Sequence, residues 1–86
     1  MNNSKLQEII ERCEAATDGP WSSYVEGRDH ESGSNFIMTG ALENRGEDIE
    51  LTGATIADQD FIAHARQDIP MLIDEIIRLK NLLDNP

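Results

Sequence analysis

From Ile69 to the end of the chain, apolar residues return at every third or fourth place: Ile69, Leu72, Ile73, Ile76, Leu79 and Leu83. That is the period of one helix face. Ile77 and Leu82 widen the face beyond a single stripe. A chain of 86 residues has little else with which to cover so broad an apolar surface. The pattern therefore predicts a homo-oligomer that associates through its C-terminal helix.

A further helical stretch lies just upstream. Thr55 is placed to cap it, with Asp58 in the reciprocal capping-box position and Asp60 near the positive end of the helix dipole. Phe61, Ile62 and Ala65 supply its packing face. Pro70 has no N–H for the carbonyl of Arg66, and its ring collides with that carbonyl inside a helix. The expectation is a break between Arg66 and Ile69, with Asp68 capping a separate last helix.

At the other end, Ser4 and Gln7 have capping-box spacing ahead of Leu6, Ile9, Ile10, Cys13 and Ala16. Those five form one apolar stripe, with Glu8, Glu11 and Glu14 off it. Gly19 and Pro20 are expected to end this helix, Gly19 as the left-handed residue. From Trp21 the period changes to two. Trp21 to Glu26, Asn35 to Thr39 and Asp48 to Leu51 read as short strands, separated by loops at Gly27–Ser34 and Gly40–Glu47. The predicted fold is α+β: an N-terminal helix, a small three-stranded antiparallel meander, and two C-terminal helices separated at Pro70. Residues 1–86 form one domain, with fraying expected at Met1 to Asn3 and at Asn85-Pro86.

Composition narrows the function more than it names it. Seventeen carboxylates against seven Lys/Arg leave a net charge of −10. Direct nucleic-acid or anionic-membrane binding needs clustered cations, so both are excluded as expectations. An acidic face meeting a basic partner remains open. Cys13 is alone, so no intrachain disulfide forms, and no Cys/His set has zinc spacing. A small core without either staple points again to a partner subunit. The lone thiol fits a reducing cytoplasm. No apolar run reaches membrane-spanning length, and no signal pattern opens the chain.

Two places hold cations. The loop Glu26-Gly27-Arg28-Asp29-His30-Glu31 carries a guanidinium and an imidazole after a strand, and His64 and Arg66 lie on the later helix. Arg offers a planar fork to phosphate or carboxylate, and His exchanges protons near neutrality. The bland readings are a solvated hairpin loop, a half-buried His64, and an Arg66 paired with Asp58 or Asp68. Trp21, Tyr24 and Phe36 could stack on a base, although core packing is the simpler account of all three. No metal-hydrolase pattern, activated nucleophile or phosphate loop is present, so no enzyme and no cofactor are expected.

The run Ala15-Ala16-Thr17-Asp18-Gly19-Pro20-Trp21, together with Phe61-Ile62-Ala63-His64-Ala65-Arg66 before Pro70, resembles segments of a group of small uncharacterised bacterial and phage proteins. Those carry Pro where this chain has Asp18. The resemblance implies no activity; it implies a phage or mobile-element context in which short acidic proteins act by binding. The resulting expectation is a non-enzymatic binding protein that sequesters an anionic, nucleotide-like small molecule through Arg28, His30, His64 and Arg66. The alternatives are an acidic inhibitor covering a basic site on a host protein, and a plain structural assembly module.

Overall fold

A computed structural model describes residues 1–84, and the expectation for Asn85-Pro86 lies outside them. Four elements follow one another: α1 (Asn3–Ala15), β1 (Trp21–Tyr24), β2 (Phe36–Thr39) and α2 (Ile56–Asp84). The class is α+β, but the sheet has two strands and the helices number two among the described residues. Both differences from the expected fold have physical reasons.

The expected third strand reduces to a single bridge. Ile37 and Ile49 exchange both backbone hydrogen bonds at 2.8 Å, and pairing stops there. Upstream of it the chain is tied to the end of β2 differently: Gly46 N–H donates to the Thr39 carbonyl, and Thr39 Oγ1 donates to the Glu47 carbonyl. Thr39 is buried at this junction. Gly40 makes the preceding turn at φ +80°, where a Cβ would lie 2.4 Å from the Asn44 carbonyl oxygen. The segment is held against β2 by a turn rather than by a ladder.

The expected break at Pro70 is absent. α2 runs unbroken for 29 residues through Pro70, and Asp68 caps nothing. A proline inside a helix costs one backbone hydrogen bond and about 3 kcal/mol. Here the helix is anchored on both sides of the lesion. Before it, Gln59 and Ala63 are buried against the sheet; after it, Ile73 is buried and Lys80 Nζ donates to Asn3 Oδ1 at 2.6 Å. Tertiary packing holds the two halves in one continuous helix against the local penalty. The start of α2 is as expected: Thr55 Oγ1 accepts from Asp58 N–H, and Asp58 Oδ2 accepts from Thr55 N–H.

α1 begins two residues earlier than its Ser4 signal. Asn2 is the cap, its Oδ1 accepting from Lys5 N–H at 2.7 Å. Asn is at least as good a cap as Ser, and this choice gains an extra half-turn of helix. Met1 to Asn3 are consequently tied down, with the Met1 carbonyl also accepting from Lys80. The helix ends at Ala15 with Ala16 extended, ahead of Gly19, which lies outside the left-handed region.

Antiparallel pairing sets Trp21 opposite Thr39 and Tyr24 opposite Phe36. α2 lies across β1, and α1 runs antiparallel along its later half, as the bonds from Arg66 to Cys13 and from Lys80 to Asn3 require. The core is thin: Leu6, Val25, Ile37, Ala63 and Ile73 are its buried hydrophobic residues. The molecule is elongated, 54 × 26 × 20 Å, because α2 extends well past the sheet.

Candidate functional site

The loop after β1 and the early part of α2 do meet. The Arg28 guanidinium grips Asp60 with both terminal nitrogens, at 2.9 and 3.0 Å, while its Nε donates to Asp29 Oδ2 at 2.9 Å. Beside this pair, Pro20, Trp21, Ser22, Ser23, Arg28, Asp60, His64 and Gln67 line an open hollow of about 500 Å³. Arg28 and His64 therefore share one concavity. His30 and Arg66 do not belong to it.

His30 turns inward instead. Its Nδ1 accepts from Ser32 N–H at 3.0 Å, and its ring packs 5.1 Å from that of Phe36. Phe36 in turn stacks on Tyr24 at 5.4 Å and an interplanar angle of 10°. A neutral ring with Nδ1 accepting carries its proton on Nε2, which is buried with no hydrogen-bond partner. His30 serves the loop's own packing.

Arg66 faces the opposite side of α2 from His64, as a separation of two residues dictates. Its Nε donates to the Thr17 carbonyl at 2.9 Å and a terminal nitrogen to the Cys13 carbonyl at 3.1 Å. Trp21 Nε1 also donates to the Thr17 carbonyl. These are carbonyls at and just beyond the end of α1, which a helix C-terminus leaves without partners of its own. Arg66 is thus a helix cap supplied from a distance, and neither Asp58 nor Asp68 is its partner.

Charge in the hollow is already balanced. Hydrogen bonds from Arg28, and then from Ser23, pull the Asp60 carboxyl down to about 2 despite partial desolvation. Val25 N–H and then Arg28 hold Asp29 below the usual carboxylate range. The same two carboxylates raise Arg28 further above its ordinary value, Asp60 contributing more. One guanidinium faces two ionised carboxylates, so the hollow carries no excess positive charge for an anion. Among the described residues no group of three or more His, Cys, Asp or Glu is arranged to hold a metal ion.

Two glutamines gave no sequence signal yet organise the region. Gln67 Oε1 accepts from Trp21 N–H at 2.8 Å, and its Nε2 donates to the Trp21 carbonyl at 3.0 Å. Its amide sits where a neighbouring strand's peptide group would. Two residues along the same edge of β1 from Trp21 is Ser23, whose partner Ile37 spends both backbone groups on Ile49. By the alternation of an antiparallel ladder, Ser23's peptide groups also turn away from β2. Val25, next along, is closed by Asp29 Oδ2 at 2.8 Å. Side chains thus cap the outer edge of β1 at both ends, which guards it against strand addition. Gln59, 4% exposed, donates to Ser23 Oγ and to the Tyr24 and Phe36 carbonyls, pinning α2 to the sheet. Gln59, Ala63 and Gln67 share one helix face at four-residue spacing, which becomes a signal only once that face meets the sheet.

The run from Ala15 to Trp21 and the stretch from Phe61 to Gln67 come together at this junction. Thr17 and Trp21 from the first, with Cys13 just before it, are held by Arg66 and Gln67 from the second. Their shared role is architectural: they weld the end of α1, the start of β1 and α2. No protein-family model, curated protein or solved structure matches the chain.

A second surface stands in contrast to the hollow. Along α2, Phe61 is 76% exposed and Leu72 62%. Ile69, Leu79 and Leu83 are also exposed along the helix. Next to it Ile9, Cys13, Ala16, Trp21, Ile62, Ala65 and Ile69 line an apolar groove of about 240 Å³. No helix among the described residues is long and apolar enough to cross a membrane.

Proposed function

We propose that this chain is a non-enzymatic protein-binding module that works as a homodimer, with the exposed flank of α2 as the shared surface. The supporting observation is the row Ile62, Ile69, Leu72, Leu79 and Leu83, all exposed, with half-buried Ile76 among them. Contiguous apolar surface of this kind on a small domain marks an interaction site. The capped edge of β1 directs association to the helix rather than to the sheet. Sequestration of an anionic small molecule draws no comparable support, since Arg28 is matched by Asp29 and Asp60, His30 packs inward, and Arg66 caps α1. The lone Cys13 supports a reducing, cytoplasmic setting. The likeness of residues 15–21 and 57–70 to small phage proteins supports a mobile-element origin.

The test is a charge placed in the row. Leu72→Glu puts a carboxylate where the second copy would bury a leucine, so the variant sediments as a monomer while keeping its helical content. Wild-type protein that sediments as a monomer at micromolar concentration contradicts the proposal.

A second reading has its own observation. Lys5, Arg28, Arg45 and Arg78 are each paired with a carboxylate of the same chain, Arg66 caps α1, and Lys80 is bound to the start of α1. The cations are thus largely spent internally, and the field the protein presents is acidic. A basic site on a host protein fits it. Partner retention that falls steeply from low to high salt supports this; salt-independent retention speaks against it.

A further inference from the structure

Resting on the dimer just described, we infer that the two copies pair in parallel and in register along α2, as a two-stranded coiled coil. The spacing of the flank is unusually regular. Ile62, Ala65, Ile69, Leu72, Ile76, Leu79 and Leu83 are separated alternately by three and four residues. All seven lie on the continuous helix, so the break once expected at Pro70 does not interrupt the series. A three-four alternation sustained over three turns of the repeat is the heptad of a coiled coil.

The residue types at the two alternating positions differ. Ile62, Ile69, Ile76 and Leu83 occupy one; Ala65, Leu72 and Leu79 occupy the other. β-branched residues at the first position with leucine at the second favour two parallel strands, because each packs best in the geometry that arrangement creates there. Flanking charges favour the same orientation. On one side of the seam stand Asp68 and Glu75; on the other stand Arg66, Ile73 and Lys80. In an antiparallel pair centred on the seam, Asp68 of one copy faces Glu75 of the other, and symmetry repeats the repulsion. In a parallel pair Asp68 and Glu75 of the two copies are no longer set against each other.

The size of the surface is adequate for this occupant. Ile62, Ile69, Leu72, Leu79 and Leu83 are between 38% and 80% exposed. That amounts to on the order of 500 Å² of apolar surface per copy and roughly 1,000 Å² for a symmetric pair, where specific interfaces begin. α1 borders the seam, its Ile9, Cys13 and Ala16 sharing a groove with Ile62, Ala65 and Ile69, so the second copy packs against α2 along this edge of α1. Parallel pairing puts both sheets at the same end of the dimer.

Disulfide trapping at the two ends of the seam tests the orientation. In a Cys13→Ser background, Ile62→Cys and Leu83→Cys are made singly and oxidised with dipyridyl disulfide. Parallel, in-register pairing makes each single variant a covalent dimer as its main product. About 21 residues of helix, roughly 30 Å, separate the two positions along one helix. If instead neither crosslinks to itself but an equal mixture of the two does, the pairing is antiparallel and the inference is overturned while the dimer stands. Wild-type protein sedimenting as a monomer overturns both.

Discussion

The two halves of α2 are one continuous helix in two different environments. Before Pro70 it is fastened to the sheet by polar groups as much as by apolar ones: Gln59 reaches Ser23 and two strand carbonyls, and Gln67 clasps the backbone of Trp21. After Pro70 it leaves the sheet behind and is covered on one flank by α1, while its other apolar flank meets solvent. The earlier half is richer in polar contacts yet better buried. Burial follows from what lies opposite a residue, and the more apolar half is the one without a partner inside its own chain. That contrast is why the functional argument moves from the cation-bearing hollow to the bare flank.

The contrast breaks most sharply when the same kind of charge is placed in each half. Ala63 is 1% exposed against the sheet. Ala63→Glu buries a carboxylate with no counter-ion there and removes the cooperative thermal transition, because an unpaired buried charge exceeds the few kcal/mol of margin in so small a domain. Leu72→Glu in the later half leaves a folded monomer. Equal loss of folding in both variants would erase the distinction. Circular dichroism melts of the two read it directly.

A smaller effect is expected at the join. With α2 continuous, Pro70→Ala restores an N–H to the Arg66 carbonyl and removes the ring collision, against some loss of rigidity in the unfolded chain. A gain of about 1 kcal/mol in urea unfolding is the expected net result. Destabilisation would mean that the proline's contacts in the α1–α2 groove outweigh the missing hydrogen bond.

The smallest effect belongs to the exposed ion pair that links the loop to the earlier half. Asp60 sits near 2 in the folded protein against an ordinary 3.8, so the folded state holds its proton less tightly than the unfolded one. Its contribution is complete above 3.8 and disappears as pH falls through about 2. Melting temperature should therefore drop across that window. Arg28→Gln removes the main cause of the shift and makes the acid limb shallower, with little change at neutral pH, as is usual for solvated pairs. An unchanged acid limb would detach Arg28 from the coupling between loop and helix.

Much of this architecture is written in local pattern, and its omissions are instructive. The reciprocal bonds of Thr55 and Asp58 were legible because a capping box depends only on residues three apart. The apolar row from Ile69 to Leu83 was legible because helical period needs no knowledge of what it faces. Arg28 and His64 could be named as cation-bearing positions, but their neighbours in space could not. Asp60 lies 32 residues from Arg28 and Arg66 lies 49 from Thr17, and no spacing rule reports such encounters. Gln59 and Gln67 stayed hidden for the same reason, since an amide becomes structural only when a strand edge stands opposite it.

By itself, then, the amino-acid order determined the α+β class, the Thr55–Asp58 cap, the acidity and the surplus of apolar surface on the last helix. All of these are properties of composition and short-range period. Tertiary structure alone decided that Pro70 would be carried inside one helix, because anchors on either side of it outweigh a penalty that is purely local. It decided likewise that Ile49 would contribute one bridge and not a strand, and that Arg66 would cap α1 while Arg28 closed on Asp60. Each outcome turns on which groups become neighbours once the chain has folded, and long-range contact is the one quantity a linear pattern does not contain.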